Sequence, residues 1–343
     1  MISILVDWIY CLKSLNQIRV PVPFVTADNI PPDQILVVFN PQAQSGKLKR
    51  LELDVRSELK KTVGRTDFVS TTGKGHARKL MSELDARIRL VIAIGGDGTV
   101  HEVASGLAEN ESDACMAVIP LGSGNDFARA LGMDRSWKAS LAQLATAAIR
   151  PCDMGQFEWK EDGNPKQDYF ANALGVGFDA HCAHLAPRYK NWPFGIGYTV
   201  SILMGLKTWI SGGATVWDLS NEKKALFSGR MMFTTIGNAQ DSGGGYKVNP
   251  KALLSDGLID ACIVDNMSFF RAVSILPSAR EGKHLSKKEV SYFQVTQLLI
   301  ETDRGLPIHA DGEMKSLQAR SISVSVLPGK IKLVVPENGN KPI

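Results

Sequence analysis

The sequence lacks the cysteine pattern of a disulfide-stabilised or zinc-binding protein. It has only five cysteines, an odd number, which are far apart and form no C-x-x-C pair: Cys11, Cys115, Cys152, Cys182 and Cys262. This spacing excludes a disulfide framework and a zinc ribbon. We therefore expect a protein of the reducing cytoplasm.

Long apolar runs are also absent. The stretch Trp192–Leu206 is uncharged but shorter than the roughly 20 residues needed to span a bilayer. The apolar start, Met1–Tyr10, contains Asp7 and is followed by no clear cleavage site, which argues against a signal peptide. We expect an extra N-terminal helix there, packed on this chain, with a second copy or a membrane surface as the alternatives.

The charge is nearly balanced. The chain has 39 basic and 35 acidic residues, a net charge of +4 with no long run of one sign, which permits an anionic partner without requiring one. We expect no nucleic acid partner. Hydrophobic residues make up 44% of the chain, as in ordinary globular proteins, so the composition suits a folded enzyme.

The length of 343 residues exceeds the size at which one hydrophobic core usually stops growing, so two packed units are expected. A proline-rich linker at 20–34 leads into the β-branched strand Ile35–Phe39. Helical and strand-like segments then alternate, which predicts a parallel sheet with helices on both faces. The predicted helices are 47–61, 75–84 and 100–108, and the predicted strands are 66–70, 90–94 and 116–120.

The pattern changes after Pro151, and we place a domain boundary near residue 150. Shorter alternating runs predict antiparallel strands in the second half. These runs are Gly155–Lys160, Tyr169–Gly175, Arg230–Ile236, Leu258–Val264 and Ser321–Val326, and helices are expected near 196–209 and 268–282.

The turn Gly95-Gly96-Asp97-Gly98-Thr99 follows a buried strand and opens a helix. The first N–H groups of such a helix have no partner, and glycines let the backbone approach an anion closely. Thr99 can cap the helix, and the Asp97 carboxylate suits a magnesium ion or its waters. These features predict a phosphate-binding turn. A glycine-rich helix start without a ligand is the alternative.

A second turn has the same design. The strand Ala117–Ile119 leads into Pro120-Leu121-Gly122-Ser123-Gly124-Asn125-Asp126 and a further helix. Because open parallel sheets bind ligands at their strand ends, the two turns would flank one crevice. Asn40-Pro41, after the first strand, adds a third piece. Pro41 and Leu48 exclude a Walker A loop, and Phe127 excludes the G-x-G-x-x-G pattern.

The second half supplies acids in glycine-rich contexts. Phosphoryl transfer to an alcohol needs a metal to offset phosphate charge and a carboxylate to accept the hydroxyl proton. Each acid alone is more often a turn residue, and only their combination with the two turns predicts a phosphotransferase. His181 and His184 lack the further ligands of a zinc site. The acidic segments are Gly177-Phe178-Asp179, Ser255-Asp256-Gly257 and Asp311-Gly312-Glu313.

Together these segments resemble the diacylglycerol kinase catalytic family, which includes sphingosine kinases and soluble bacterial lipid kinases. The motifs occur in order over most of residues 35–337. They are Asn40-Pro41 with Ser45-Gly46, the GGDGT turn with Glu102, the run from Pro120 to Ala128, Gly175–Ala180, Gly243-Gly244-Gly245, Asp256-Gly257 and Asp311-Gly312-Glu313.

The resemblance implies a two-domain α/β fold. An N-terminal nucleotide-binding domain would have a parallel sheet, a C-terminal domain would be an antiparallel β-sandwich, and nucleotide and lipid would meet in the cleft between them. We expect an N-terminal extension at 1–34, the ATP-binding domain at 35–150, the β-rich lipid-substrate domain at 151–329, and a final strand and tail at 330–343 that return toward the first domain.

The resemblance also implies the site residues. Asp311 would be the general base, with Glu313 as the alternative or a supporting acid. The cleft acids Asp97, Asp126 and Asp179 would help to order catalytic magnesium and its waters. ATP would contact Asn40, Thr71, Gly95, Gly96, Asp97, Gly98, Thr99, Ser123 and Asn125, and a structural magnesium would bind Asp256 and the backbone carbonyls of Leu253 and Leu258.

The implied function is that of an ATP- and magnesium-dependent lipid kinase in phospholipid biosynthesis, with diacylglycerol as the leading substrate and phosphatidic acid as its product. The partner would be a lipid at a membrane surface, reached peripherally from the cytoplasmic side, and a homodimer stays open. Sphingoid bases and monoacylglycerol are alternative substrates. An NAD kinase-like phosphotransferase is opposed by the PLGSGND turn, and a catalytically silent nucleotide or lipid binder is opposed by the intact acids.

The chain departs from the family pattern at three positions. It has His101 where members often carry Asn, Ser123 in place of Thr, and His76 in place of Asp. Serine keeps the hydroxyl, so that change should be mild. We expect His101 to alter nucleotide contacts or the charge near the phosphates, and so to affect nucleotide preference more than catalysis.

A basic and aromatic cluster adjoins the apolar stretch. It comprises Arg188, Tyr189, Lys190, Trp192 and Phe194. Segments that lie at membrane surfaces often combine such residues. We expect this cluster to touch the membrane near the lipid entrance, with a packed loop as the alternative.

Overall fold

The computed structural model describes residues 30–161, 163–189 and 197–336. Residues 1–29 of the predicted N-terminal extension lie outside these ranges. Lys190, Trp192 and Phe194 of the predicted membrane-contacting cluster lie outside them as well.

In the described part of the first half, four strands pair in parallel, in the order β4-β3-β1-β2. β1, β3 and β4 are buried at every position, which is typical of parallel strands covered on both faces and explains their β-branched composition. The strands are β1 (Ile35–Phe39), β2 (Asp67–Ser70), β3 (Leu90–Gly95) and β4 (Cys115–Pro120).

Helices follow these strands close to the predicted places. The helix expected over 47–61 begins later, because a 3-10 segment at Ala43–Leu51 precedes it and Gly46 has a φ of 83°, outside the helical region. The helices are α1 (Glu52–Thr62), α2 (His76–Ser82), α3 (Asp97–Asn110), α4 (Asp126–Ala130) and α5 (Trp137–Gln143).

Helix α3 is buried along most of its length. Every residue from Thr99 to Ala108 is buried. Gly106 allows α2 to approach, because a Cβ at this position would lie 2.5 Å from the Cβ of Met81. The N-terminus of α3, which carries the first glycine-rich turn, is therefore fixed by packing along the whole helix.

The second half is built from strands that pair antiparallel with one another. Alternating apolar positions form its core, which includes Phe157, Phe170, Ile263 and Ile308. The strands are β5 (Ala147–Glu161), β6 (Asn164–Phe170), β7 (Ala173–Gly177), β8 (Gly212–Asp218), β9 (Lys224–Gly237), β10 (Ile259–Asp265), β11 (Val290–Val295), β12 (Gln297–Ala310) and β13 (Glu313–Pro336).

The prediction of one continuous strand over Tyr169–Gly175 is wrong. β6 ends at Phe170 and β7 begins at Ala173. The chain breaks there because the backbone N–H groups of residues 171, 172 and 173 donate to the carboxylate of Asp311 instead of to a neighbouring strand.

β13 connects the two halves of the molecule. It pairs antiparallel with β12 and β5, and near its end Lys332 and Leu333 pair in parallel with Cys115 and Met116 of β4. The sheet of the first half thus continues into that of the second. The chain's last described strand therefore fixes how the halves are oriented.

Three helices cover one region of the second half. They are α6 (Phe178–Tyr189), α7 (Gly197–Thr208) and α8 (Phe269–Arg280), and their apolar side chains form a cluster with residues of β9 and β10. Within the described ranges, no helix has both the length and the apolarity to cross a membrane.

The cysteines offer a test of this packing. Burial raises the pKa of the Cys115, Cys152 and Cys182 thiols and raises that of Cys262 to about 12, and all four are free and buried. Because the thiolate is the reactive form, we expect alkylation of these four only after unfolding. Peptide mass spectrometry after native and denaturing labelling measures this. Rapid native labelling at any of the four would contradict the described packing.

Candidate active site

The turn Gly95–Thr99 joins β3 to α3, with Gly96 extended before the helix begins at Asp97. The prediction that Thr99 caps this helix is wrong. Thr99 lies inside the first turn of α3, and its hydroxyl accepts an N–H from the Asn40 side chain at 2.9 Å. Thr99 therefore ties the start of α3 to the end of β1.

The second turn, residues 120–126, is held by Asp97. The backbone N–H of Asn125 donates to Asp97 Oδ2 at 2.7 Å. Asn125 adopts a left-handed φ of 53°, and its side chain bonds to both the N–H and the carbonyl of Gly122. Asparagine is one of the few residues that tolerate this conformation. The position of Asp97 therefore fixes both predicted turns.

The two turns touch backbone to backbone. A Cβ on Gly122 would lie 2.4 Å from the Cα of Gly96, so only glycine fits there. Gln44, in the segment after β1, donates to the carbonyl of Leu121 at 3.2 Å. The three segments singled out in the sequence therefore meet at the carboxyl ends of β1, β3 and β4, where open parallel sheets bind ligands.

Gly122→Ala tests this contact. The added methyl group would overlap Gly96, so we expect a loss of about 1–3 kcal/mol in the free energy of unfolding and weaker ATP binding. Gly73→Ala is the matched control, because nothing lies within 4 Å of the added Cβ. Urea denaturation and ATP titration measure the two effects. Equal stability of the two variants would contradict the close contact.

Thr71 and Glu102 belong to the same end of the sheet. The backbone N–H of Thr71 donates to the carbonyl of Phe39 at 2.8 Å. Glu102, on α3, accepts N–H groups from Gly75 at 2.6 Å and Ala77 at 3.0 Å, at the start of α2. A carboxylate stabilises a helix N-terminus. Glu102 therefore has a clear structural role in holding the loop after β2.

Asp97 and Asp126 bring negative charge to the cleft. Burial raises the pKa of Asp97 to about 6, and the nearby Asp126 carboxylate adds to the shift. Asp126 is already engaged, because its oxygens accept Arg129 Nη1 at 2.6 Å and the backbone N–H of Gly244 at 2.8 Å. Unbalanced charge at Asp97 fits a divalent cation. The described residues contain no cluster of three metal-binding side chains, so such an ion would also need phosphate or water ligands.

Asp311 lies in the two-residue turn between β12 and β13. Asp311 and Gly312 have φ values of 50° and 84°, both positive as a type I′ hairpin turn requires, and Asp-Gly is a favoured pair for this turn. The Asp311 carboxylate accepts three backbone N–H groups at 2.9 Å, from Ala171 to Oδ2 and from Asn172 and Ala173 to Oδ1.

A fourth donor to Asp311 comes from the first domain. His101 Nδ1 lies 2.9 Å from Asp311 Oδ2, and both side chains are buried. Burial alone would raise the pKa of Asp311, but His101 and the backbone N–H groups outweigh it and lower that pKa below its usual value. A carboxylate has about four acceptor positions, so Asp311 can take a proton only when a donor is displaced.

Glu313 begins β13 and faces the first glycine-rich turn. A Cβ on Gly98 would lie 3.3 Å from Glu313 Oε1. Glu313 also pairs with Lys74 at 3.3 Å and with Lys315 at 3.8 Å. Asp311 and Glu313 are thus close in sequence but contact different parts of the site.

A second acid–histidine pair lies in the second domain. His309 Nε2 lies 3.2 Å from Asp179 Oδ2, and the Thr235 hydroxyl donates to the same oxygen at 3.1 Å. The backbone N–H of Gly312 donates to His309 Nδ1 at 3.1 Å, so we assign the ring hydrogen to Nε2. His309 was not predicted from the sequence. In the sequence, only its place two residues before Asp311 could have indicated it.

A cleft of about 650 Å³ runs between the domains. An apolar cavity of about 100 Å³ lies next to it, between α6, α7, α8 and the sheet. Ser242, Gly243 and Tyr246 border both spaces. The cleft is lined by Asp97, Ser123, Asp126, Asn172, His309 and Asp311, and the cavity by Asp179, Phe178, Ile202, Met232, Val264 and Ile275.

The predicted structural magnesium site lies apart from the cleft-lining residues. Leu258 N–H donates to Asp256 Oδ1 at 3.0 Å, and burial raises the pKa of Asp256, with Asp153 adding to the shift. Asp260 is fully buried near Asp256, and its Oδ2 has no hydrogen-bond donor within the described chain. A buried carboxylate oxygen without a partner is costly, so these acids fit a bound cation. The roles of the Leu253 and Leu258 carbonyls stay predictions.

Two family models match the chain. The model described as "Diacylglycerol kinase catalytic domain" matches residues 34–157. The model described as "YegS C-terminal NAD kinase beta sandwich-like domain" matches residues 172–335. Together they account for most of the chain, and residues 158–171 separate them, close to the region where the pattern of the sequence changes.

Individual proteins agree with this match. "Diacylglycerol kinase" of Bacillus subtilis (strain 168) is 27% identical over 81% of this chain and 88% of its own length. "Probable lipid kinase YegS-like" of Pseudomonas aeruginosa PAO1 is 30% identical over 89% of this chain and 95% of its own. A crystal structure of a diacylglycerol kinase from Bacillus anthracis str. Sterne has a TM-score of 0.65 at 19% identity, covering 88% of this chain and 97% of that one.

The fold and the matches define a lipid kinase, an enzyme that transfers a phosphoryl group to a lipid alcohol. The chain belongs to the family of diacylglycerol kinase and YegS-like proteins. The predicted family is confirmed, as is a two-domain α/β fold with a C-terminal β-sandwich-like domain.

Proposed function

We propose that this lipid kinase uses ATP and magnesium to convert diacylglycerol to phosphatidic acid, from the cytoplasm at the inner face of the membrane. A lipid as the phosphoryl acceptor is supported by one observation: the polar cleft and the apolar cavity share Ser242, Gly243 and Tyr246. A lipid hydroxyl can sit in the cleft while part of an acyl chain enters the cavity. The name of the Bacillus subtilis relative supports diacylglycerol as the lipid.

The cavity sets a condition on the substrate. Its volume of about 100 Å³ is much smaller than the 650 Å³ of the cleft. A long acyl chain that enters it must displace side chains of the helices that line it, such as Ile202 of α7 and Ile275 of α8. The headgroup end needs no such change, because the cleft is already open between the domains.

ATP would bind with its phosphates at the N-terminus of α3. Thr99 and Val100 N–H groups bond to Gly96, which leaves those of Asp97 and Gly98 for an anion. Asn40, Thr71, Ser123 and Asn125 would surround the nucleotide, since they occupy the strand ends beside this helix. Magnesium, held by Asp97 when bound, would offset the phosphate charge.

We assign the general base to Asp311. Glu313 would be a supporting acid beside the phosphate-binding turn Gly95–Thr99, called the phosphate turn below. Asp311 lines the cleft, and its low pKa is compatible with a loose transfer, in which the acceptor hydroxyl keeps its proton until the new P–O bond is nearly formed and a weak base is enough to take it. Asp126 and Asp179 would shape the cleft by holding Gly244 and His309.

Asp311→Asn tests this assignment. Asparagine tolerates the positive φ of the turn, but its amide nitrogen accepts neither a proton nor the backbone N–H groups. We expect lipid phosphorylation to be abolished while ATP binding stays largely intact, as measured by label transfer and by ATP titration. Near-normal turnover in this variant would contradict the assignment.

The acceptor is identified by one assay. Purified protein is incubated with labelled ATP, magnesium and a panel of diacylglycerol, monoacylglycerol, a sphingoid base and NAD. We expect label in phosphatidic acid, and none without magnesium. Label in NAD alone would favour an NAD kinase-like phosphotransferase, and label in no acceptor would favour a silent binding protein. Label in another lipid would support the lipid kinase activity but contradict diacylglycerol as the substrate.

A further inference from the structure

His101 makes two side-chain contacts although it is almost completely buried. Its exposed fraction is 1%. Nδ1 lies 2.9 Å from Asp311 Oδ2, and Nε2 lies 3.0 Å from the Lys315 ammonium. His101 is on α3 of the first domain, whereas both partners are on the β12–β13 hairpin of the second. The ring therefore connects the helix that begins at the phosphate turn to the hairpin that carries the proposed base.

The two partners fix the state of the ring. An ammonium group has only hydrogens to offer, so Nε2 must accept from Lys315. The ring hydrogen then lies on Nδ1 and is donated to Asp311. A hydrogen on Nε2 would point at the ammonium group and leave Asp311 facing a lone pair, so only one tautomer satisfies both contacts.

Lys315 is itself held in place, which makes it a rigid partner. Its ammonium lies 2.7 Å from Asp168 Oδ2, and its side chain is only 12% exposed. Asp168 in turn accepts Arg78 Nη1 from α2 at 2.8 Å. Because Lys315 cannot turn away without losing a buried ion pair, it prevents the His101 ring from flipping.

Of the four described donors to Asp311, only His101 belongs to the first domain. The three backbone N–H groups hold the carboxylate to the second domain only. The His101 contact is the one described hydrogen bond that ties this carboxylate to α3. We propose that His101 is a positioning residue for phosphoryl transfer, which sets the Asp311 carboxylate relative to the phosphate turn, with Lys315 fixing the tautomer and orientation of its ring.

This inference rests on the proposed function and is tested by three substitutions of one residue. In His101→Asn the amide nitrogen falls near the former Nδ1 and can still donate to Asp311. In His101→Gln the amide lies near the former Nε2 and reaches Lys315 instead. His101→Leu keeps much of the volume and makes neither contact. The three variants together distinguish the effect on activity of losing the contact with Asp311 from the effect of changing the volume of the side chain.

We expect kcat for the lipid to fall about 100-fold in the Gln and Leu variants, because a misplaced reacting group costs about that factor. The Asn variant should retain clearly more activity than either. The structure departs here from the expectation that His101 alters nucleotide contacts more than catalysis, because its two described contacts are with Asp311 and Lys315 and involve no proposed nucleotide ligand. KM for ATP should therefore stay within about twofold of the wild type in all three. His184→Asn, the same change at an exposed position of α6, is the matched control and should leave kcat unchanged.

A merely structural role predicts the opposite order. Asn removes the most volume from a packed site, so it would be the worst of the three if His101 only filled space. The inference would be overturned if the Leu or Gln variant had a higher kcat than the Asn variant. Equal kcat in all variants and the wild type would overturn it as well. A wild-type protein that labels no lipid would instead contradict the proposed function, and the role of His101 with it.

The tautomer provides a readout that does not depend on turnover. In histidine-labelled wild-type protein, the ¹⁵N shifts of His101 should be those of a protonated Nδ1 and an unprotonated Nε2, and Lys315→Met should weaken this preference. His101→Asn identifies the resonance by its loss. A hydrogen on Nε2 in the wild type would overturn the proposed contact with Asp311, whatever the activity of the variants.

Discussion

The hydrogen bonds to the Asp311 carboxylate organise the site. Three come from the backbone at 171–173 and one from His101, so a single side chain joins β7, the β12–β13 hairpin and α3. The cost of this arrangement is visible in the fold. β6 ends at Phe170 and β7 begins only at Ala173, because the N–H groups at 171–173 donate to Asp311. Because hydrogen bonds to Asp311 replace strand pairing at these residues, its carboxylate is held closely in one position.

The nucleotide side of the cleft follows from a second carboxylate. Asp97 accepts the N–H of Asn125, and Gly96 meets Gly122 with no room for a side chain. The glycines therefore serve two purposes, since they expose N–H groups to an anion and also let two turns touch. Burial of the same carboxylate raises its pKa to about 6, so a cation beside it would stabilise the charged form and offset the cost of burying it.

Local patterns in the sequence predicted the first domain well. Buried β-branched runs and glycine-rich turns act within a few residues, so the amino-acid sequence alone places β1, β3, β4 and both turns. It places neither the break at residues 171–172 nor the contact between His101 and Asp311. His101 and Asp311 lie 210 residues apart, and no periodicity relates them. In the sequence His101 stands out only as a departure from a family pattern, and its two partners become evident from the packing.

The two domains meet through charged groups as well as through β13. Asp126 of α4 accepts the N–H of Gly244, Asp168 pairs with Arg78, and His101 lies between Asp311 and Lys315. Each contact places one partner in each domain, and each lies at or near the cleft. Buried contacts of charged groups add little net stability compared with apolar packing, but their strength depends steeply on distance and angle. The domains are already held together by the pairing of β13 with β4, β5 and β12. The polar contacts of the interface are therefore better suited to setting the geometry between nucleotide and acceptor.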